Sequence, residues 1–192
     1  ASDVYKRQVL QYIIAGAITG KNPFKALRNM LPAYFTALGT SSSAATIPVS
    51  LESTLKNGIS KPVASFVIPL CATIHLSGSM IKLTLYAFAI VYMANLDIST
   101  GTGLGFIFLL GIMMIAAPGV PGGAVMVAAG LLADMMGFDD GMVALMIAAY
   151  IAIDSVGTAA NVTGDGAIAM IVDKFAGDKK NPSEEESAEA TA

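Results

Sequence analysis

The chain has little charge, no tryptophan, one histidine and one cysteine among its 192 residues. Charged side chains make up 13% of it, whereas soluble domains usually carry about 25%, so there is too little charge to cover a water-exposed surface. The lone Cys71 excludes a disulfide framework and a cysteine-based metal site. Hydrophobic residues make up 55% of the chain. The composition therefore predicts an integral membrane protein with a lipid membrane, and no nucleic acid, as its surroundings.

The two ends differ from this apolar middle. Residues 1–8, ASDVYKRQ, are polar and lack a signal-peptide pattern, and we expect a non-native leader there. The apolar run at 9–20 is shorter than the roughly 20 residues of a spanning helix, which suggests a partial helix at the start of a C-terminal fragment. Residues 176–192 are polar and acidic, which is typical of a disordered tail.

Two apolar hairpins alternate with two longer segments. Hairpin one is predicted at 24–58 and hairpin two at 103–137, and they are followed by an unwound helix at 62–94 and a polar-striped helix at 141–175. Hairpin arms of a dozen residues reach about 18 Å, too short for a hydrocarbon core of about 30 Å. The pattern predicts an all-α integral membrane fold, an inverted repeat of a re-entrant helical hairpin plus a transmembrane helix. The alternative is a set of short helices buried in a large soluble core.

Basic residues predict the orientation. Lysine and arginine flank hairpin one and follow the last helix, whereas 95–103 and 134–141, the base of hairpin two, contain neither. The positive-inside rule then places the base of hairpin one and the C-terminus in the cytoplasm. We expect a multi-pass protein of the bacterial inner (plasma) membrane, with hairpins entering from opposite faces and tips meeting near its middle. This orientation places Lys82, a basic residue, within the bilayer.

Polar residues mark the last segment and both hairpin tips. Asp154, Thr158, Asn161 and Asp165 follow at i, i+4, i+7 and i+11, which is one helix face. Ionisable groups at membrane depth usually mark a substrate or ion pathway, although a polar seam joining two helices would explain Thr158 and Asn161. The tip GTSSSAATIP offers hydroxyls and N–H groups to an anion at a helix start, and the glycines of APGVPGG permit close backbone approach.

These motifs resemble the dicarboxylate/amino acid:cation symporters, the family that includes the glutamate transporters. The matching segments are SSSAATIPV, PLCATIHLSGS, APGVPGG and DSVGTAANVTGD, and the resemblance runs from about Leu10 to Lys174. It implies a glutamate-transporter-like core and symport of an amino acid or dicarboxylate, coupled to sodium or protons, by elevator-type alternating access. It also implies a homotrimer formed through N-terminal scaffold helices outside this chain. We expect no enzyme activity, and no cofactor beyond the coupling ion.

The resemblance also implies roles for individual residues. Asp154 would hold the amino group of the substrate, Asn161 its α-carboxylate, and Asp165 a sodium ion. The implied substrate-binding set is Ser42, Ser43, Ser79, Val120, Gly122, Asp154, Thr158 and Asn161. The implied sodium set is Ala72, Ile74, His75, Asn161 and Asp165, and oxygen ligands suit such a hard cation.

Departures from the family pattern bear on the substrate and the ion. Arginine is absent at Gly157 and at Ser41, where members with acidic substrates carry it, so a second carboxylate loses its bidentate partner. This favours a neutral amino acid. The family's NMDGT reads HLSGS here, so Ser77 replaces a carboxylate of the usual sodium set.

His75 and Lys82 are the unusual charged candidates. Histidine titrates near neutral pH, so His75 either carries a proton in place of one sodium or is a neutral residue that packs. Lys82 has three possible roles, namely binding a substrate carboxylate, neutralising an aspartate, or reaching the membrane interface. We favour aspartate pairing, while the first role keeps an acidic amino acid or a dicarboxylate open as substrate.

Two other functions compete with a secondary transporter. In an intramembrane hydrolase, Ser77 would need His75 as its base, but residues two apart on a helix point to different faces. A channel or a purely structural membrane protein would show flux that does not depend on an ion gradient, or no flux. We expect a secondary transporter.

Overall fold

A computed structural model describes residues 2–176, which form helices joined by turns and loops, with no β-strand among them. This confirms the predicted all-α class. The elements are α1 (Ser2–Thr19), α2 (Pro23–Asn29), α3 (Leu31–Thr40), α4 (Ser43–Leu55), α5 (Lys61–Ile74), α6 (Ser77–Met93), α7 (Thr100–Met113), a 3-10 helix (Met114–Ala116), α8 (Gly123–Met136), α9 (Asp140–Ala152) and α10 (Asp154–Ala176).

The N-terminal end of the chain is part of the helical structure. Helix α1 begins at Ser2, so the helix predicted at 9–20 extends back through the residues of the expected leader. Gln8 is only 5% exposed and therefore lies against the rest of the molecule. The predicted disordered tail at 176–192 lies outside the described residues, apart from Ala176.

Each of the two segments predicted as hairpins contains helices joined by a turn, and local chemistry explains the turns. In hairpin one, α3 ends at Ser41 in a left-handed conformation (φ 51°), and the Ser42 hydroxyl caps α4 by accepting the Ala45 N–H at 3.2 Å. Hairpin two consists of α7, the 3-10 helix, a turn and α8. The turn ends at Gly122 with φ 73°, a conformation that glycine adopts without steric cost.

Both long segments are broken helices. The first breaks between α5 and α6 at residues 75–76, in agreement with the predicted unwound helix. The second, predicted as one continuous helix at 141–175, is instead two helices, α9 and α10, that meet at Ile153 with a 60° bend. The carbonyl groups of Ile153 and Asp154 accept hydrogen bonds from Lys82 Nζ at 3.1 and 3.4 Å. A residue distant in sequence thus contacts the chain at the bend.

Length and composition identify membrane-crossing candidates among the described residues. One stretch, Lys61–Met93 taken across its break, is long and apolar enough to cross a membrane. The bent pair α9 and α10 makes a second if it is taken as one span. The helices of hairpin two are apolar but shorter.

Two apolar clusters hold the helices together, and the chain changes cluster at each break. Cluster one joins α1, α2, α3, α5 and α10, with Tyr12 and Met170 at its centre. Cluster two joins α6, α7, α8 and α9, with Phe106 and Met146 at its centre. Helix α6, which follows hairpin one in the sequence, thus packs against hairpin two. Helix α10, which follows hairpin two, packs against hairpin one. The polar faces of α6 and α10 meet where the chain crosses.

Candidate functional site

Helix α10 is the central element of the site. Every residue from 157 to 167 is buried, and the helix contacts α1, α3, α4, α5 and α6. Its polar stripe is buried as well, since Asp154, Thr158, Asn161 and Asp165 are between 1% and 5% exposed. Three of these side chains contact residues of the broken segment α5–α6.

A small closed space, called here the candidate pocket, lies where α10, α6 and the two hairpin tips meet. It is lined by Ser41, Ser43, Leu76, Ser79, Pro118, Gly119, Val120, Ala124, Tyr150, Asp154, Thr158 and Asn161. Its volume is about 10 Å³, which is room for one water molecule. A solute can therefore enter only if the surrounding elements separate.

The structure brings the eight predicted substrate-binding residues to this pocket. Six of them line it directly. The other two, Ser42 and Gly122, contact lining residues: the Ser42 hydroxyl donates to the Gly119 carbonyl at 3.0 Å, and the Gly122 N–H donates to Asp154 Oδ2 at 2.8 Å. Their gathering is an observed arrangement, and their binding roles stay predictions.

The two hairpin tips touch each other directly. The Gly119 carbonyl of hairpin two accepts the Ser42 hydroxyl and also the Ala44 N–H, at 3.1 Å. A Cβ atom on Gly119 would lie 2.3 Å from the Ala72 carbonyl oxygen, so only glycine allows the tip this close to the end of α5. Together these contacts hold the pocket shut.

Asn161 joins α10 to the start of α6. Its Oδ1 accepts the Gly78 N–H at 2.7 Å, and its Nδ2 donates to Ser79 Oγ at 3.0 Å. Both ends of the amide are therefore used within the chain. Helix α6 begins at Ser77 without a side-chain cap, and the Asn161 carbonyl takes one of the amide donors that an uncapped helix start leaves free.

Lys82 pairs with Asp154 inside the site. The ammonium Nζ lies 3.2 Å from Asp154 Oδ1, and both side chains are about 5% exposed. The ammonium also lies 4.0 Å from the centre of the Tyr150 ring, a favourable cation–π distance. This is the aspartate pairing that the sequence favoured among the three roles of Lys82.

His75 lies between Asp165 and Ser77. Its Nδ1 is 2.7 Å from Asp165 Oδ1, and its Nε2 is 2.8 Å from Ser77 Oγ. The expectation that His75 and Ser77 point apart is wrong, because His75 (φ −100°, ψ 79°) is not in a helical conformation. The Arg7 guanidinium donates to the same Ser77 hydroxyl and, at 3.5 Å, to the Ala160 carbonyl.

Comparison with known proteins decides which family this arrangement belongs to. Residues 7–175 match the model of the sodium:dicarboxylate symporter family. The chain belongs to that family. It is 33% identical over 157 residues to excitatory amino acid transporter 1 of Rattus norvegicus, with 81% of this chain and 29% of the relative covered. It is 30% identical over 174 residues to neutral amino acid transporter B(0) of Mus musculus, with 87% of this chain and 30% of the relative covered. It is 29% identical over 167 residues to neutral amino acid transporter A of Homo sapiens, with 82% of this chain and 31% of the relative covered.

Family membership confirms several predictions. This sodium:dicarboxylate symporter family member is a multi-pass membrane protein and not an enzyme. The hydrogen-bonded order Ser77–His75–Asp165 matches the order of a serine hydrolase triad, and it is membership of a transporter family, not this geometry, that speaks against a hydrolase. The chain spans about three tenths of the length of the relatives it matches.

Sequence reasoning missed two residues of the site. Tyr150 lies four residues before Asp154, a spacing that can place two residues on one helix face, and the polar stripe could have been extended to it. Arg7 was set aside with the expected leader, although it contacts Ser77. The contact could not have been found from spacing, because 70 residues separate the two.

Proposed function

We propose that this chain is the substrate- and ion-binding core of a secondary transporter that couples a cation gradient to uptake of a small carboxylate, an amino acid or a dicarboxylate. The observation that supports this most is the closed polar pocket between the two hairpin tips, with Asp154 and Asn161 in its wall. Family membership supports cation coupling.

The closed pocket suggests how access would alternate. In the proposal the hairpins are re-entrant, and the contact of their tips at the Gly119 carbonyl opens to admit the solute and closes again. Motion of this core against a scaffold, in an elevator-type mechanism, would then carry the closed pocket across the membrane. A homotrimer in the bacterial inner membrane, with a cytoplasmic C-terminus, belongs to the same proposal.

The proposed ion site lies beside the break in α5–α6. Sodium would take oxygens from the Ala72 and Ile74 backbone and from the side chains of Asn161 and Asp165. His75 contacts Asp165, so a proton on this pair is the alternative coupling ion. Lys82 at Asp154 weighs against the neutral amino acid that the missing arginines favoured, and the proposal therefore includes carboxylates with and without an amino group.

Uptake by the complete gene product in vesicles tests this function. Labelled serine, alanine, aspartate and succinate are offered while sodium and proton gradients are imposed separately. We expect one solute class to accumulate only with a gradient, and Asp165→Asn to lower that uptake at least about tenfold, a loss of 1.4 kcal/mol. Asp97→Asn, an exposed carboxylate on a loop, is the matched control. Flux without gradient dependence would indicate a channel, and no flux a structural protein.

A further inference from the structure

Asp154 is the one acidic side chain among the described residues that line the candidate pocket. An amino group bound there would carry a positive charge, and a buried charge needs an opposite partner and hydrogen bonds. The carboxylate of Asp154 is therefore the group that such a solute would have to engage. Whether the pocket takes an amino acid depends on whether this carboxylate is free.

The carboxylate of Asp154 is occupied on both oxygens by the chain itself. Oδ1 accepts from the Lys82 ammonium at 3.2 Å, and Oδ2 accepts from the Gly122 N–H at 2.8 Å. Because a carboxylate oxygen can accept more than one hydrogen bond, an incoming ammonium would either share Asp154 with Lys82, which leaves one of two buried positive charges without a counter-charge, or displace Lys82. Displacing Lys82 would leave its own charge buried without a partner, which is strongly unfavourable.

The surroundings of Lys82 fix its ammonium at this place. The ammonium also donates to the Ile153 carbonyl at 3.1 Å and lies over the Tyr150 ring. The stem of the side chain fills the gap beside Gly157, where an added Cβ atom would lie 2.3 Å from Lys82 Cε and 2.6 Å from Nζ. A glycine at 157 thus makes the room that lets Lys82 reach Asp154.

We propose that Lys82 supplies, from within the chain, the ammonium that Asp154 would otherwise take from an amino acid, so that the pocket selects small carboxylates without an amino group. This inference rests on the proposed function and names its substrate class. The Lys82–Asp154 pair is neutral as a whole, so it does not repel an anion, and the coupling cation of the proposed function would supply the opposite charge that a buried carboxylate needs. The hydroxyls of Ser41 and Ser43 in the wall are donors that suit carboxylate oxygens.

Matched pairs of solutes isolate the amino group. Succinate differs from aspartate only by lacking it, and lactate carries a hydroxyl where alanine carries the ammonium. Binding of all four to the complete gene product in detergent is measured by isothermal titration calorimetry, and uptake is measured in vesicles. The proteins are the natural sequence, Lys82→Met, the double variant Lys82→Met/Asp154→Asn, and Lys56→Met, which removes an exposed lysine on the surface.

The natural sequence should bind succinate over aspartate, and lactate over alanine, by at least about tenfold. Lys82→Met leaves Asp154 unpaired, so affinity for the amino acids should rise about 10- to 100-fold while affinity for succinate and lactate falls. In the double variant neither position 82 nor position 154 carries a charge. It should therefore lose the amino acid binding that Lys82→Met gained, and it should recover succinate binding. Its recovery separates a change of specificity from a failure to fold. Lys56→Met should behave like the natural sequence.

Other results would overturn one proposal and leave the other standing. If the natural protein prefers aspartate or alanine and accumulates it with a gradient, the role of Lys82 is refuted and the transport function stands. If no solute accumulates but calorimetry gives the expected preferences, the transport function is refuted and the role of Lys82 stands. If none of the four solutes binds to folded natural protein, the substrate class is refuted.

Discussion

At the scale of the residue, the site depends on which buried polar groups find partners inside the chain. Lys82 and Asp154 are 72 residues apart in sequence, and each would be a costly buried charge without the other. Such a pair need not add stability relative to apolar residues of the same size. In the proposal, its importance is that it leaves no unpaired charge on Asp154 for the amino group of a solute.

Gly157→Ala tests the gap that admits Lys82. The new Cβ atom would lie 2.3 Å from Lys82 Cε, so the lysine must withdraw from Asp154 while its charge remains in the chain. We expect affinity for aspartate to rise in the same direction as in Lys82→Met, by about three- to tenfold, 0.7–1.4 kcal/mol, measured by calorimetry. Gly130→Ala is the control, because nothing lies within 4 Å of its Cβ position. An unchanged affinity would show that Lys82 does not govern access to Asp154.

At the scale of the element, small residues allow α6 and α10 to cross closely. A Cβ atom on Gly78 would lie 2.8 Å from the Gly157 carbonyl and 3.0 Å from Asn161 Oδ1. Close backbone approach through small residues is how helices commonly associate within membranes. The crossing lets the Gly78 N–H reach Asn161 at 2.7 Å, so the geometry of the pocket wall depends on it.

Gly78→Ala should separate α6 from α10. Because the new methyl group meets backbone on one side, we expect a loss of about 1–3 kcal/mol in the free energy of unfolding, seen as a lower Tm in detergent. Gly39→Ala in α3 is the matched control, since no atom lies within 4 Å of its Cβ position. That variant should be unchanged or stabilised by up to about 1 kcal/mol. Equal effects of the two substitutions would contradict the close crossing.

At the scale of the whole molecule, the two halves of the chain exchange partners. Helix α6 belongs to cluster two and α10 to cluster one. Hairpin two therefore packs with α6 from the first half of the chain, and hairpin one packs with α10 from the second half. This exchange brings both breaks and both tips to one place. It is the arrangement expected if the hairpins enter the membrane from opposite faces.

Opposite entry predicts that the bases of the hairpins react from opposite sides. Single cysteines are placed by Lys56→Cys at the base of hairpin one and by Asp97→Cys before hairpin two, both at exposed positions, with Cys71→Ser as background. In right-side-out vesicles an impermeant maleimide should label Asp97→Cys and spare Lys56→Cys. Permeabilised vesicles should label both. Labelling of both from one side would refute opposite entry.

Much of the fold follows from local patterns. The hairpins were predicted because short apolar arms flank tips rich in turn residues, and the stripe from Asp154 to Asp165 because helical spacing fixes a shared face. The family was indicated by motifs such as DSVGTAANVTGD. Each of these features depends on residues that are near one another in the chain.

The sequence by itself determined the helical class, the polar stripe of α10 and the family, because composition and spacing carry that information. Tertiary structure alone decided the bend at Ile153, the His75–Ser77 contact and the pairing of Lys82 with Asp154. Periodicity says which face of a helix a residue occupies but not which distant residue meets it. Helix crossing, which glycines such as Gly78 and Gly157 permit, sets those partners, and the partners decide the charge of the pocket.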